Sequence, residues 1–174
     1  FGALVCTPKK AHCQQCPLAT QCRAYSAKKV YDYPVKSKKL TKRNRYFHFL
    51  VIKTEENNTI IEQRTDKDIW QDLYQFPLIE TDRQDATLSA LAAHPHWPAW
   101  LPSAKLTFER SSKPYKQQLT HQTIIATFHR FRLTENKINA SKYIFINNKK
   151  FDKFAFPRVI TRFLEDKSLH LDLF

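Results

Sequence analysis

Tyr46-Phe47-His48-Phe49-Leu50-Val51-Ile52, then Glu55-Glu56-Asn57-Asn58, then Thr59-Ile60-Ile61-Glu62-Gln63-Arg64, is the stretch on which the fold turns. The first run is apolar and aromatic, a composition that suits a pleated, half-buried surface. The four polar residues read as a turn and Thr59 to Arg64 as a returning strand, so the stretch predicts a β-hairpin. The chain has a single glycine, Gly2, so a backbone position that needs positive φ must use Asn or Asp instead. Asn57-Asn58 and Asn147-Asn148 are the candidate pairs.

Downstream of the hairpin, Tyr74 to Ile79 is a third short apolar stretch, in which Pro77 suggests a sheet edge or a bulge. Asp85 is a candidate cap for a helix over Ala86 to Ala93, with Leu88 and Leu91 on one face. Residues 94–102 hold three prolines and two tryptophans and read as a loop with an apolar anchor. Strands are expected at Lys105–Glu109, Gln122–Leu133 and Lys142–Ile146. Pro157 suits the first turn of a closing helix whose buried stripe is Val159, Ile160, Phe163 and Leu164. Strands outnumber helices and do not alternate with them, which predicts an α+β domain with a mixed or antiparallel sheet and flanking helices.

Upstream of the hairpin the composition changes. All four cysteines fall between residues 6 and 22, and residues 28–45 carry eight basic side chains against one acid, Asp32. Such a charge run reads as a solvated strap, and it includes Lys36, Lys38 and Lys39. The predicted organisation is therefore a cysteine module at 1–27, a basic linker at 28–45 and a globular domain at 46–174.

Lysine plus arginine outnumber acids by 29 to 16, a formal net charge of +13 on 174 residues, which favours a polyanionic partner, nucleic acid before membrane. Apolar residues make up 42%, enough for a real core. No run of eighteen apolar residues occurs, and Phe1-Gly2-Ala3-Leu4-Val5-Cys6 has none of the marks of a signal peptide. With no methionine anywhere, the chain reads as starting mid-protein. A cytoplasmic monomer, away from membranes, is expected.

The cysteines are spaced Cys6-x6-Cys13-x2-Cys16-x5-Cys22. Three chemistries fit four thiols in so short a span. Two disulfides would need an oxidising compartment, for which nothing argues. A structural zinc takes four thiolates in a closed tetrahedron. An iron–sulfur cubane takes four thiolates spread around a larger object. Spacing alone leaves zinc and cluster open.

The same spacing, with Gly2-Ala3-Leu4-Val5-Cys6-Thr7-Pro8 and Cys16-Pro17-Leu18 around it, resembles the endonuclease III-like DNA glycosylases. That resemblance implies a [4Fe–4S] cluster held by Cys6, Cys13, Cys16 and Cys22. It also implies phosphate contact by the loop between the first two cysteines, where Lys9 and Lys10 are the right residue type. The extension beyond the cysteines narrows the resemblance to the A/G-specific adenine glycosylases, whose C-terminal domain is Nudix-like. Arg43-Asn44-Arg45-Tyr46-Phe47, Asp68-Ile69-Trp70-Gln71-Asp72-Leu73-Tyr74-Gln75-Phe76-Pro77 and Ala155-Phe156-Pro157-Arg158 carry it.

In that family a Phe-Ser-His triplet on a β-turn reads the damaged base, and the matching stretch here is Leu119-Thr120-His121, which keeps the hydroxyl and loses the aromatic ring. The family usually has glycine near Trp70, and this chain has none there. The implied function is the C-terminal part of a base-excision-repair enzyme that removes adenine opposite 8-oxoguanine or guanine in double-stranded DNA. The catalytic Glu and Asp are then expected outside this chain, and the fragment alone is expected to be inactive. Residues 82–91 lack the glutamates that hold magnesium in a pyrophosphate hydrolase, which argues against that activity. Two alternatives remain: a zinc-stapled nucleic-acid-binding module, and a degenerate Nudix domain used for protein–protein contacts.

Overall fold

The computed structural model describes residues 2, 4–7, 9–33, 35, 42–101, 105–134 and 142–166. The linker lysines Lys36, Lys38 and Lys39 lie outside the described residues. The chain divides into two compact units, Phe1–Thr41 and Lys42–Phe174.

In the larger unit, strand β1 (Arg43–Thr54) runs for twelve residues and turns at Asn57 into β2 (Asn58–Gln63). Asn57 takes φ 64°, as the hairpin reading requires, and its N–H donates to the Thr54 carbonyl at 3.0 Å. Asn147 does not share that conformation. Its φ is −68°, and its side chain caps the following 3-10 turn by accepting from the Lys149 N–H at 3.1 Å. β1 starts at Arg43, three residues inside the expected linker, because Arg43, Asn44 and Arg45 pair with Gln122, Thr123 and Ile124.

β3 (Tyr74–Gln75) and β4 (Leu78–Thr81) replace the single strand expected over Tyr74–Ile79. The chain crosses at Phe76-Pro77, so that β3 pairs with β2 and β4 with β1. Pro77 has no N–H to give, but its carbonyl accepts from Leu50 at 2.8 Å. Helix α2 (Leu88–Ala92) is shorter than expected, and Thr87 rather than Asp85 caps it: Thr87 Oγ1 accepts from the Ala90 N–H at 3.3 Å.

β5 (Leu106–Ser111), β6 (Tyr115–Gln118), β7 (Gln122–Leu133) and β8 (Tyr143–Asn147) complete an eight-stranded mixed sheet. Its backbone order is β3-β2-β1-β7-β5, with β4 on β1, β6 on β7 and β8 on β2. β1 and β7 are parallel over their whole length, from Arg43↔Gln122 to Thr54↔Leu133. The other pairings are antiparallel.

Period-two alternation along β1 and β7 splits the apolar residues into two layers. Phe47, Phe49, Val51, Ile124, Ala126 and Phe128 pack with Val159, Ile160 and Phe163 of helix α3 (Arg158–Glu165). Phe128 and Phe163 stack with ring centroids 3.9 Å apart. Leu50, Ile52, Phe131 and Leu133 face the other way and pack with Leu91 of α2, Leu101, and the two anchoring tryptophans Trp97 and Trp100. A helix on either side of a mixed sheet is the α+β arrangement expected.

The smaller unit has no element longer than one turn of helix among its described residues. It consists of 3-10 turns at Cys13–Gln15, Ala19–Gln21 and Val30–Asp32 and helix α1 (Arg23–Ser26).

Candidate functional site

The cysteine module is built around its thiols. Cys6 pairs with Ala11 in an isolated antiparallel bridge, and the His12 N–H donates to the Val5 carbonyl at 2.9 Å, closing a tight loop. Thr7 Oγ1 donates to the Lys10 carbonyl and accepts from the Lys10 N–H, which leaves the Lys9 and Lys10 side chains exposed on the outside of the loop. The 3-10 turn then brings round Cys13 and Cys16, and Cys22 stands at the N-terminus of α1.

All four are free thiols, and all four line one pocket of about 260 Å³ whose other walls include Val5, Ala19, Tyr25 and Val30. The Cys13 thiol is pushed above its ordinary pKa, first by burial and then by Cys22, Cys6 and Cys16 around it. Among the described residues, no three His, Cys, Asp or Glu side chains come close enough together to grip one metal ion.

The stretch Leu119-Thr120-His121 lies where β6 reverses into β7. Gln118 faces Thr123, and the Leu119 N–H donates to the Gln122 carbonyl at 2.8 Å, so Thr120-His121 forms the tip. Leu119 is partly buried against the α3-side core, while Thr120 and His121 are exposed. The Arg43 N–H donates to the His121 carbonyl at 3.3 Å, which ties the turn to the start of β1. The turn is thus anchored by its apolar residue and presents a hydroxyl and an imidazole to solvent.

A third cluster went unread in the sequence. Arg45, 8% exposed, donates to both carboxylate oxygens of Glu80 and of Asp68, at 2.7–3.0 Å. Arg64 donates to Asp68 at 3.1 Å and to Gln75 at 2.8 Å; Gln75 donates to Glu62 at 3.0 Å, and Lys142 pairs with Glu62 at 2.8 Å. The Arg45 hydrogen bond holds Asp68 below the usual carboxylate range, and the Glu62 hydrogen bond raises Lys142. These groups line a pocket of about 380 Å³ and neutralise one another. Only the alternation of β1 and β2 could have pointed to them, and their partners come from three other segments.

The NUDIX domain family profile matches residues 48–166. The chain belongs to the NUDIX domain family. The NUDIX domain here is joined to the cysteine module, and the similarity to curated relatives runs over both. It is 30% identical over 171 residues to the adenine DNA glycosylase of Buchnera aphidicola subsp. Schizaphis graminum, covering 95% of this chain and 46% of that protein. It is 27% identical over 181 residues to the adenine DNA glycosylase of Buchnera aphidicola subsp. Acyrthosiphon pisum, covering 95% and 45%. The chain thus spans about half the length of these relatives.

Among solved structures, the NUDIX domain superposes on the MutT protein from Methanosarcina mazei Go1 with a TM-score of 0.58 at 14% identity, covering 76% of this chain and 99% of that one. It superposes on the C-terminal domain of mouse MUTYH, solved in complex with human PCNA, with a TM-score of 0.51 at 16% identity, covering 74% and 90%. Those two likenesses bear on the fold. The resemblance to the adenine glycosylases, read from the cysteine spacing and from residues 68–77, agrees with the named relatives. Helix α2 of this NUDIX domain reads Leu88-Ser89-Ala90-Leu91-Ala92 and carries no carboxylate. Among the described residues no helix is long and apolar enough to cross a membrane.

Proposed function

We propose that this chain is the DNA-binding, lesion-reading part of an adenine glycosylase that removes adenine opposite 8-oxoguanine or guanine. The observation that carries the reading is the β6–β7 turn. By resemblance it is the stretch that corresponds to the family's damaged-base triplet, and it has Leu119 anchored in the core and Thr120 and His121 at the exposed tip. Guanine N7 only accepts a hydrogen bond, whereas N7 of 8-oxoguanine carries a proton and donates. A hydroxyl oxygen such as Thr120 Oγ1 can accept it. His121 orients that hydroxyl or meets a neighbouring phosphate, and Leu119 backs the turn.

The four thiols support a [4Fe–4S] cluster as the module's staple. All four thiols open on one cavity of about 260 Å³, as a cluster bound by four thiolates requires. Its role here is structural: it ties the loop bearing Lys9 and Lys10, which meets DNA phosphates. Breaking the glycosidic bond falls to a Glu and an Asp outside these 174 residues, after the adenine is flipped from the stack. A helix α2 without carboxylates supports the view that this NUDIX domain reads nucleic acid and does not hydrolyse pyrophosphate.

The test is excision by the full-length protein bearing Thr120→Ala. One lost hydrogen bond is worth about 0.5–1.5 kcal/mol, so the preference for adenine opposite 8-oxoguanine over adenine opposite guanine narrows several-fold. Excision opposite guanine changes much less. Equal slowing of both substrates would make Thr120 a structural residue and refute the reading.

A further inference from the structure

A groove of about 570 Å³ separates α3 from β6, and Lys113, Lys116, Arg158 and Arg162 line it. Glu165 and Asp166 are the acids in its lining, so four cations meet two carboxylates and the groove keeps a net charge of +2. Its two ion pairs, Lys113–Asp166 at 3.1 Å and Arg158–Glu165 at 3.8 Å, have exposed cations and are the kind that solvent weakens and a phosphate can replace. Arg162 Nη1 donates to the Lys116 carbonyl at 3.0 Å, so the helix is fixed against the strand that leads into the Thr120-His121 turn.

We propose that this groove is a track for the phosphate backbone of duplex DNA, beside the base held at the turn. The proposal rests on the lesion-reading role given to Thr120 and adds the partner surface around it. Lys116 stands four residues before Thr120, two of the steps in β6 and two in the turn, which spans at most about 13 Å at roughly 3.3 Å per residue. At an axial rise of about 3.4 Å per nucleotide, the groove lies within about four nucleotides of the lesion. On the other flank of the turn stands Arg43, whose side chain is 72% exposed and whose pairing with Glu80, at 3.7 Å, is of the same solvent-weakened kind. Cations on both sides of one exposed tip suit an extended polyanion, with the tip reading a base and the flanks setting register.

The experiment measures binding of fluorescent duplexes, with 8-oxoguanine or guanine opposite adenine, by the 174-residue chain over a range of salt concentrations. For Lys116→Ala with Arg158→Ala, the slope of log affinity against log salt falls by about two units, at about 0.9 per phosphate. The loss is the same for both duplexes, so the preference for the lesion is kept. Thr120→Ala does the reverse, lowering the preference and leaving the slope. Lys149→Ala, an exposed lysine elsewhere on the domain, is the control for lost charge in general. Lys116→Glu gives a second reading at the same place, and an unchanged thermal midpoint shows that the variants fold.

A slope unchanged in the double variant and in Lys116→Glu overturns the groove. A parent chain that binds both duplexes equally refutes the lesion reading at Thr120 instead, while the slope still decides the groove.

Discussion

The two units are held together by different physics. Every buried apolar residue among those described lies in Lys42–Phe174, in two layers on either side of one sheet. In Phe1–Thr41 no described residue is buried, and Leu4, Leu18, Tyr25, Tyr31 and Tyr33 are exposed. A segment that short cannot gather a core of its own, and units of this size use metals or crosslinks instead. The domain therefore owes its stability to packing, and the proposed cluster would staple the module.

A pair of substitutions puts the largest strain on that contrast. Cys16→Ser removes one thiolate, so iron falls from about four per chain to none and hydrogen-exchange protection over residues 5–33 is lost, while the thermal midpoint of the domain stays put. Phe128→Ala does the opposite. Phe128 is fully buried and stacked on Phe163, so its loss costs about 3–5 kcal/mol in the domain's denaturation curve and leaves the iron content unchanged. Stoichiometric zinc in the native protein would refute the cluster, and a domain that melts with the cysteine variant would break the contrast.

What could be read in advance divides along the same line. The bounds of β7, Gln122–Leu133, were legible because the run from Thr123 to Phe131 is rich in β-branched and aromatic residues. The stripe of α3 was legible from its period of 3.6. β6 was missed because Tyr115-Lys116-Gln117-Gln118 offers one apolar residue in four. The parallel pairing of β1 with β7 links segments almost eighty residues apart and leaves no local mark. The triplet Leu119-Thr120-His121 could be found by resemblance, but its exposure could not, since that depends on the missed strand. The groove was invisible for a similar reason: its cations come from residues 113–116 and 158–162.

The domain's packing also has a polar seam, which makes it sensitive to acid. His48 and His129 are 1% and 4% exposed and stack between β1 and β7 on the α2 side. Thr81 Oγ1 donates to the Arg83 carbonyl at 2.6 Å, so it accepts from His48 Nε2–H at 3.0 Å. His48 Nδ1 then accepts from His129 Nε2–H at 3.0 Å, and His129 Nδ1 accepts from the Ser111 hydroxyl at 2.7 Å. Hydrogen positions follow here from the requirement that each group donates once. The chain leaves no nitrogen free for another proton, so both rings stay neutral.

Burial, and then His48, push His129 down to about 4; burial, and then His94, lower His48 despite the Arg83 carbonyl nearby. Groups with depressed folded pKa values contribute stability above the unfolded value of about 6.5, and that contribution is lost as pH falls toward 4. The domain should lose about 3 kcal/mol on the His129 account between pH 7 and pH 4. Urea denaturation at steps of pH measures it, and His129→Gln should flatten the curve. A curve equally steep in that variant would place the acid sensitivity elsewhere.

The smallest effect expected concerns the loop in which the resemblance leads one to expect a glycine and this chain has none. Trp70 and Asp72 both adopt positive φ, 62° and 65°, in the loop between β2 and β3. A residue with a Cβ is strained there by about 1 kcal/mol, and glycine is not. The loop holds the conformation because its surroundings fix it. The Asp72 N–H donates to the Arg64 carbonyl at 2.8 Å, the Leu73 N–H to the Trp70 carbonyl at 3.1 Å, and Trp70 meets Phe47 edge-on at 5.8 Å. Trp70 earns its strain by packing, so glycine there would cost more than it relieves. Asp72 is exposed, and the Gln63 side chain donates to its backbone carbonyl at 3.0 Å, a contact that glycine keeps. Asp72→Gly should therefore stabilise the domain by at most about 0.5 kcal/mol, the relief of about 1 kcal/mol of folded strain less roughly 0.5 for the extra freedom glycine gives the unfolded chain. Chemical denaturation against Asp72→Ala separates the two effects: the alanine keeps the strain and gains nothing. If alanine is instead the more stable of the two, the left-handed turn carries no strain worth relieving, and a glycine expected in this loop by resemblance answers to something other than backbone conformation.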